Sequence, residues 1–107
     1  MSNFSDAKLE QIWEKAKVPN EKIKDEWRKD YAGAWINRVK YGEESDYGWE
    51  VDHAKPVSKG GSDELSNLVP LHWKNNRTKG DDYPSFKTSV SSEGNKNIEK
   101  EQSWNYK

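Results

Sequence analysis

The chain has 107 residues, 31% of them hydrophobic, with 18 basic and 19 acidic side chains and a formal net charge of −1 at pH 7. That is enough for one small domain with a compact core, to which six Trp and five Tyr bring a large buried area per residue. The lack of cysteine excludes disulfides and thiolate zinc sites, the near-neutral charge gives no overall polyanion-binding footprint, and no apolar run approaches the length of a membrane span.

The start, MSNFSDAKLEQ, carries neither the basic region nor the apolar stretch of a secretory signal, so the expected location is cytoplasmic. Leu9, Ile12, Trp13 and Ala16 recur at i, i+3, i+4 and i+7 and predict a helix. Ser5 is placed to cap it, Phe4 and Leu9 to form a hydrophobic staple, and Val18-Pro19-Asn20 to end it. A second, shorter helix is predicted over residues 21–30, where Ile23 and Trp27 share a face. Residues 35–41 and 47–53, rich in aromatic and β-branched side chains, read as two strands separated by a polar segment containing Gly42. Pro56, Ser58, Gly60, Gly61, Ser62 and Asp63 then make an irregular loop. The run NLVPL is a short strand that Pro70 confines to an edge, and HWKNNRTKG fits a short helix ended by Gly80. Beyond Pro84 there is little periodicity, and a polar, mobile tail is expected in which Phe86 and Trp104 could dock. The resulting organisation is a helical segment over 1–30 packed on a core over 31–84, with a tail over 85–107.

Charge is unevenly spread along this plan. From His53 to Gly80 five cations (Lys55, Lys59, Lys74, Arg77, Lys79) face two acids (Asp63, Glu64), while Glu43, Glu44, Asp46, Asp81 and Asp82 lie on either side. The same stretch holds an ordered set of polar residues: Asp52-His53 at the end of a predicted strand, Gly60-Gly61 in the loop, Asn67 fourteen residues after His53, and Asn76 nine residues later. With these residues, YGWEVDHAKPVSKGGSDELSNLVPLHWKNNRTKG resembles the HNH endonuclease family, and RKDYAGAWINRVKYG is similar to the segment that precedes the motif in small bacterial members. The resemblance implies an α+β fold with a ββα-metal core, in which a β-hairpin packs on a short helix around one divalent cation, preceded here by N-terminal helices. It also implies hydrolysis of nucleic-acid phosphodiesters, DNA being the expected substrate, with 5′-phosphate and 3′-hydroxyl products.

Two departures from the family pattern are visible. Many relatives carry two C-x-x-C pairs that bind a structural zinc; here His72 and Asn75 stand where the second pair would be, so no structural zinc is expected and the fold must rest on aromatic packing. The final motif position is Asn76 instead of His, as in the HNN variant. Asparagine is a neutral oxygen ligand, which suits Mg²⁺ or Mn²⁺ better than Zn²⁺.

The residue types also support this chemistry directly. Phosphodiester hydrolysis needs an activated water, relief of charge on the phosphate and help for the leaving oxygen. His53 is of the type that takes a proton near neutral pH. Asp52 and the amide oxygen of Asn76 would hold the cation and leave most of its positions open. Asn67, by side chain or backbone carbonyl, is expected to orient the His53 imidazole. Arg77 and Lys79 are expected to clamp phosphate oxygens, with Lys74 and Lys55 extending the cationic face. Strand alternation sends Asp52 and His53 to opposite faces, so a site using both requires the strand to end there. His72, Trp49 and Trp73 are expected to pack, and the two glycines to serve the turn. The competing expectation is a catalytically silent nucleic-acid-binding or interaction module on the same scaffold. No separate recognition element is visible, which points to weak specificity or to a specifying partner; a homodimer or a larger phage or restriction assembly is the expected association.

Overall fold

Residues 4–106 are described by a computed structural model. Ser5 caps the first helix, α1 (Asp6–Trp13), with its Oγ accepting the Lys8 N–H at 3.1 Å. Phe4 and Leu9, the predicted staple pair, both pack on the cluster that α1 buries: Ile12, Trp13, Ala16, Ile36, Trp49 and Leu68. The helix stops earlier than its apolar spacing implies. Residues 14–15 already form a turn, in which the Lys15 and Ala16 amides bond back to Ile12 and Trp13. Ala16 still reaches the core, and the Trp13 and Trp49 rings meet with centroids 5.5 Å apart.

The second predicted helix does not form. Residues 21–26 are consecutive turns, and Trp27–Lys29 is a strand, β1, paired antiparallel with β2 (Trp35–Asn37). One helical hydrogen bond survives, from the Trp27 amide to the Ile23 carbonyl at 2.8 Å. Two apolar residues on one face are too few to propagate a helix from that nucleus, and strand pairing satisfies the backbone instead. The predicted strand over 35–41 is likewise cut short, because Asn37 turns its Oδ1 onto the Val39 amide at 3.2 Å and starts a 3-10 turn, Arg38–Lys40. The two strand-like runs therefore form no ladder with each other and meet in an isolated parallel bridge, Tyr41 with Trp49.

β3 (Trp49–His53) pairs instead with β4 (Leu68–His72), in a register that sets Asp52 opposite Val69 and His53 opposite Leu68. In a two-stranded sheet every strand is an edge, which is why Pro70 is tolerated inside β4. β4 runs directly into α2 (Trp73–Lys79), for which His72 is the cap: its Nδ1 accepts the Lys74 amide at 3.1 Å. Gly80 ends α2 as expected, at a φ of 55°.

The expected tail without regular structure is corrected to a hairpin: β5 (Ser85–Glu93) pairs antiparallel with β6 (Lys96–Asn105). Phe86, Thr88 and Val90 alternate inward on β5, and Gly94, at a φ of 57°, supplies the left-handed backbone of a two-residue turn. Trp104 docks with its Nε1 on Thr88 Oγ1 at 2.9 Å and its ring 4.6 Å from that of Tyr31. The result, among the described residues, is an α+β arrangement of two α-helices and three antiparallel hairpins. Among the described residues no helix is long and apolar enough to cross a membrane.

One carboxylate joins these parts. Asp30 is fully buried, with Oδ1 accepting the Ala32 and Ala34 amides at 3.0 and 2.9 Å, and Oδ2 accepting the His72 amide at 2.9 Å and Asn75 Nδ2 at 3.0 Å. Asn75, also fully buried, passes the connection to β5. Its Oδ1 accepts the Ser89 and Val90 amides at 2.9 and 2.8 Å, where the β5–β6 register shifts, and its Nδ2 donates to the Val90 carbonyl. Burial pushes the Asp30 carboxyl up, and the donors from Asn75, His72 and Ala34 pull it back down. Asp30→Asn would set an amide NH₂ against two donors in a dry site. Losing two charge-assisted bonds at ~1.5–3 kcal/mol each should cost about 3 kcal/mol or more and lower the thermal midpoint by roughly 10 °C or more. A circular-dichroism melt checks this, and a variant within a degree or two of the parent would show that Asp30 is not the junction.

Candidate catalytic groove

β3 is where the two sides of the molecule meet. Alternation along it turns Trp49 and Val51 to the α1 core and leaves Glu50 and Asp52 for α2. Glu50 Oε1 accepts Asn76 Nδ2 at 2.9 Å, and Asp52 Oδ1 lies 3.3 Å from Lys79 Nζ. Residues two apart on the strand thus meet residues three apart on the helix, and the two rungs fix how α2 lies along β3. At the end of the strand Asp52, His53, Asn76 and Arg77 line one open groove of about 540 Å³, flanked by the Pro56–Ser58 turn and by Gly80 and Asp81. The strand does end at His53, which is the condition for both members of the Asp-His pair to reach one site.

His53 is oriented by a residue the sequence did not single out. Its Nε2 lies 2.6 Å from Asp63 Oδ1, on the glycine-rich loop, with the imidazole 18% and the carboxylate 61% exposed. Asn67, expected to hold the imidazole, braces the loop instead. Its Oδ1 accepts the Lys55 amide, its Nδ2 donates to the Lys55 and Ser62 carbonyls, and its own carbonyl accepts the Ala54 amide. Gly61 is required by the same close approach, since a Cβ there would lie 1.7 Å from the Lys55 carbonyl oxygen.

Of the four cations expected at phosphate, only Arg77 lines the groove, and it is engaged by Glu44 Oε2 and Glu50 Oε2, each at 2.9 Å. Those bonds, Glu50 first, raise its already high pKa. Lys74 and Lys55 are exposed; Lys74 lies over the Trp73 ring, 5.5 Å from its centroid, and faces a different cavity. Lys79 corrects the expectation outright: its side chain is fully buried, so its ammonium meets Asp52 and the His53 carbonyl and not the solvent face. His72 packs as expected, buried, with its second ring nitrogen, Nε2, 2.9 Å from the Asp46 carbonyl. Glu50 had a signal in the sequence, its i, i+2 spacing from Asp52 on one strand. Asp63 had none, because nothing local shows that the loop folds back onto the strand end.

Asp52 is electrostatically the most unusual group here. Burial pushes its carboxyl up to about 6, against the opposing pull of Lys79 and His53. Its Oδ2 is buried with no hydrogen-bond partner among the described residues. An orphaned carboxylate oxygen is costly and calls for a cation or a water. Asn76 commits its Nδ2 to Glu50, which leaves the amide oxygen as the atom suited to a cation. Among the described residues no cluster of three or more His, Cys, Asp or Glu could form a metal cage. The donors present, the Asp52 carboxylate and the Asn76 amide oxygen, are of the oxygen type that suits a hard divalent cation.

Comparison with known families bears on the same segment. Residues 39–82 match the family model described as HNH endonuclease. This segment is an HNH domain. No curated protein and no solved structure matches the chain. The matched span takes in β3, the glycine-rich loop, β4 and α2, and with them all the residues that line the groove, and leaves out α1, β1, β2 and the β5–β6 hairpin.

Because the folded-state pKa of Asp52 lies above the ordinary carboxylate value, this group favours folding most at low pH. Its contribution is complete below about pH 4 and is lost as pH rises through about 6. The side-chain carboxyl carbon of Asp52, followed by NMR without added metal, should titrate with a midpoint near 6. A midpoint in the ordinary range near 4 would mean that Asp52 is solvated and not buried against Lys79.

Proposed function

We propose that the HNH domain is a divalent-metal-dependent endonuclease whose β3, β4 and α2 form a ββα-metal core and whose substrate is nucleic acid, DNA foremost. The observation that carries this reading is the convergence of Asp52, His53 and Asn76 on one groove, with a buried Asp52 oxygen that lacks a donor among the described residues. Mg²⁺ or Mn²⁺ fits these oxygen donors, and such an ion, when bound, supplies charge neutralisation at the phosphate and the leaving oxygen.

The protein's own residues divide the remaining work. Asp52 and the Asn76 amide oxygen hold the cation side of the groove, and Glu50 fixes which way the Asn76 amide faces. His53 is the base. Its Nε2 is committed to Asp63, so Nδ1 is the nitrogen that takes the proton from an attacking water. Asn67 and Gly61 hold the loop that carries Asp63, which makes Asn67 a positioning residue at one remove. Arg77, on the rim, is the cation placed to meet substrate, once Glu44 and Glu50 share it with a phosphate oxygen. With Lys79 buried and Lys74 on another face, few phosphates are contacted, which supports weak binding that is lost as salt rises.

Separating proton transfer from cation binding tests the reading. His53→Ala should lower plasmid cleavage by about 10²–10⁴ while leaving Mn²⁺ affinity nearly unchanged. Asp52→Ala should lose both, and Asn76→Ala should weaken Mn²⁺ binding less, since it removes a neutral ligand. Cleavage assays and calorimetric titration on folded protein read these together. Full activity in His53→Ala would overturn the mechanism, and inactivity of the parent with every cation and substrate would favour a silent nucleic-acid-binding module.

A further inference from the structure

The Asp52–Lys79 pair is not explained by the reaction just described. Lys79 is the seventh residue of a seven-residue helix, a position normally solvated, yet its side chain is 0% exposed and that of Asp52 is 5% exposed. Its ammonium is held on three sides: Asp52 Oδ1 at 3.3 Å, the His53 carbonyl at 3.2 Å, and the Phe86 ring of β5, 5.4 Å from its centroid. Buried this way, Lys79 cannot reach a substrate phosphate. It can neutralise one carboxylate, and it meets only one of that carboxylate's two oxygens.

We propose that Lys79 is a built-in counter-ion for Asp52, a positioning residue that neutralises the buried carboxylate and keeps Oδ2 free, so that the chain folds without the cation its groove is suited to take. The proposal rests on the reading of Asp52 as a cation ligand. Its physical basis is the cost of isolated buried charge. A lone carboxylate at this site would be strongly destabilising, as would a lone ammonium, and the pair relieves both. A divalent ion arriving at Oδ2 then meets a carboxylate whose Oδ1 is already shared with a positive charge. Affinity is reduced by that repulsion, and folding is no longer conditional on metal. Phe86 places the β5–β6 hairpin behind this arrangement, because it closes the side of the ammonium that β3 does not cover.

The test is a mutant cycle read by thermal melts, with EDTA and with millimolar Mn²⁺, on the parent, Lys79→Met, Asp52→Asn and the double variant. Methionine keeps the length of the side chain and removes the charge. In EDTA the parent should melt as a folded protein and Lys79→Met roughly 12 °C or more below it, the loss expected on breaking a buried pair. Adding Asp52→Asn to Lys79→Met should recover most of that loss, and so should Mn²⁺ without the second substitution. The Mn²⁺-induced rise should be larger in Lys79→Met than in the parent and absent in both variants carrying Asp52→Asn. If Lys79→Met does not fold alone, the double variant and refolding of Lys79→Met into Mn²⁺ read the same comparison. A Lys79→Met protein as stable as the parent in EDTA, or a double variant no more stable than Lys79→Met, overturns the counter-ion. Recovery in the double variant with no response to Mn²⁺ in any protein leaves the counter-ion standing and overturns Asp52 as a cation ligand.

Discussion

The buried carboxylate of Asp30 is the constraint on which the rest of the structure depends. Four donors from three separate segments converge on its two oxygens: Ala32 and Ala34 from the loop before β2, the His72 amide from the end of β4, and Asn75 from α2. Asn75 then extends the junction to the shifted register of β5. His72 and Asn75 are the two positions at which the family resemblance led to the expectation of a missing cysteine pair. In this chain a hydrogen-bonded hub occupies that place, with both His72 ring nitrogens and both Asn75 polar atoms engaged.

The position of the groove follows from that hub. Because His72 and Asn75 pin the start of α2, the next residue, Asn76, falls beside Glu50, and Lys79, three residues further on, falls beside Asp52. The two rungs in turn set how Asp52 and Asn76 share one groove with His53. Two of the five cations counted from His53 to Gly80 serve geometry: Arg77 is bound to two glutamates and Lys79 to an aspartate. In that groove one Asp52 carboxylate oxygen is left without a hydrogen-bond partner among the described residues.

Much of this was legible in the residues. The cap at Ser5, the end of α2 at Gly80 and the edge strand marked by Pro70 are local backbone effects, and local effects are written locally. The spacing of Asp52-His53, Asn67 and Asn76 marked the segment that the HNH family model matches. What failed was non-local. Residues 21–30 carry a helical apolar spacing, but pairing with β2 overrides it. The β5–β6 hairpin was hidden because a threonine stands at the centre of its buried face and its strands are rich in charge. The burial of Lys79 could not be read from a basic helix end, because the acid it meets lies twenty-seven residues away. Asp63, and not the expected Asn67, meets the imidazole, since motif order does not say which side chain of a folded loop reaches it.

The central claim is that one divalent cation binds at the meeting point of Asp52 and Asn76. The most direct measurement is paramagnetic broadening of amide and side-chain NMR signals on substoichiometric addition of Mn²⁺. The account predicts that Asp52, His53 and Asn76 broaden first, that Asp30 and the hub around it are spared at the same ratio, and that Mg²⁺ in excess reverses the effect. Broadening that begins instead at the exposed acids Glu44, Asp63 or Asp81, with Asp52 and Asn76 unaffected, would contradict it.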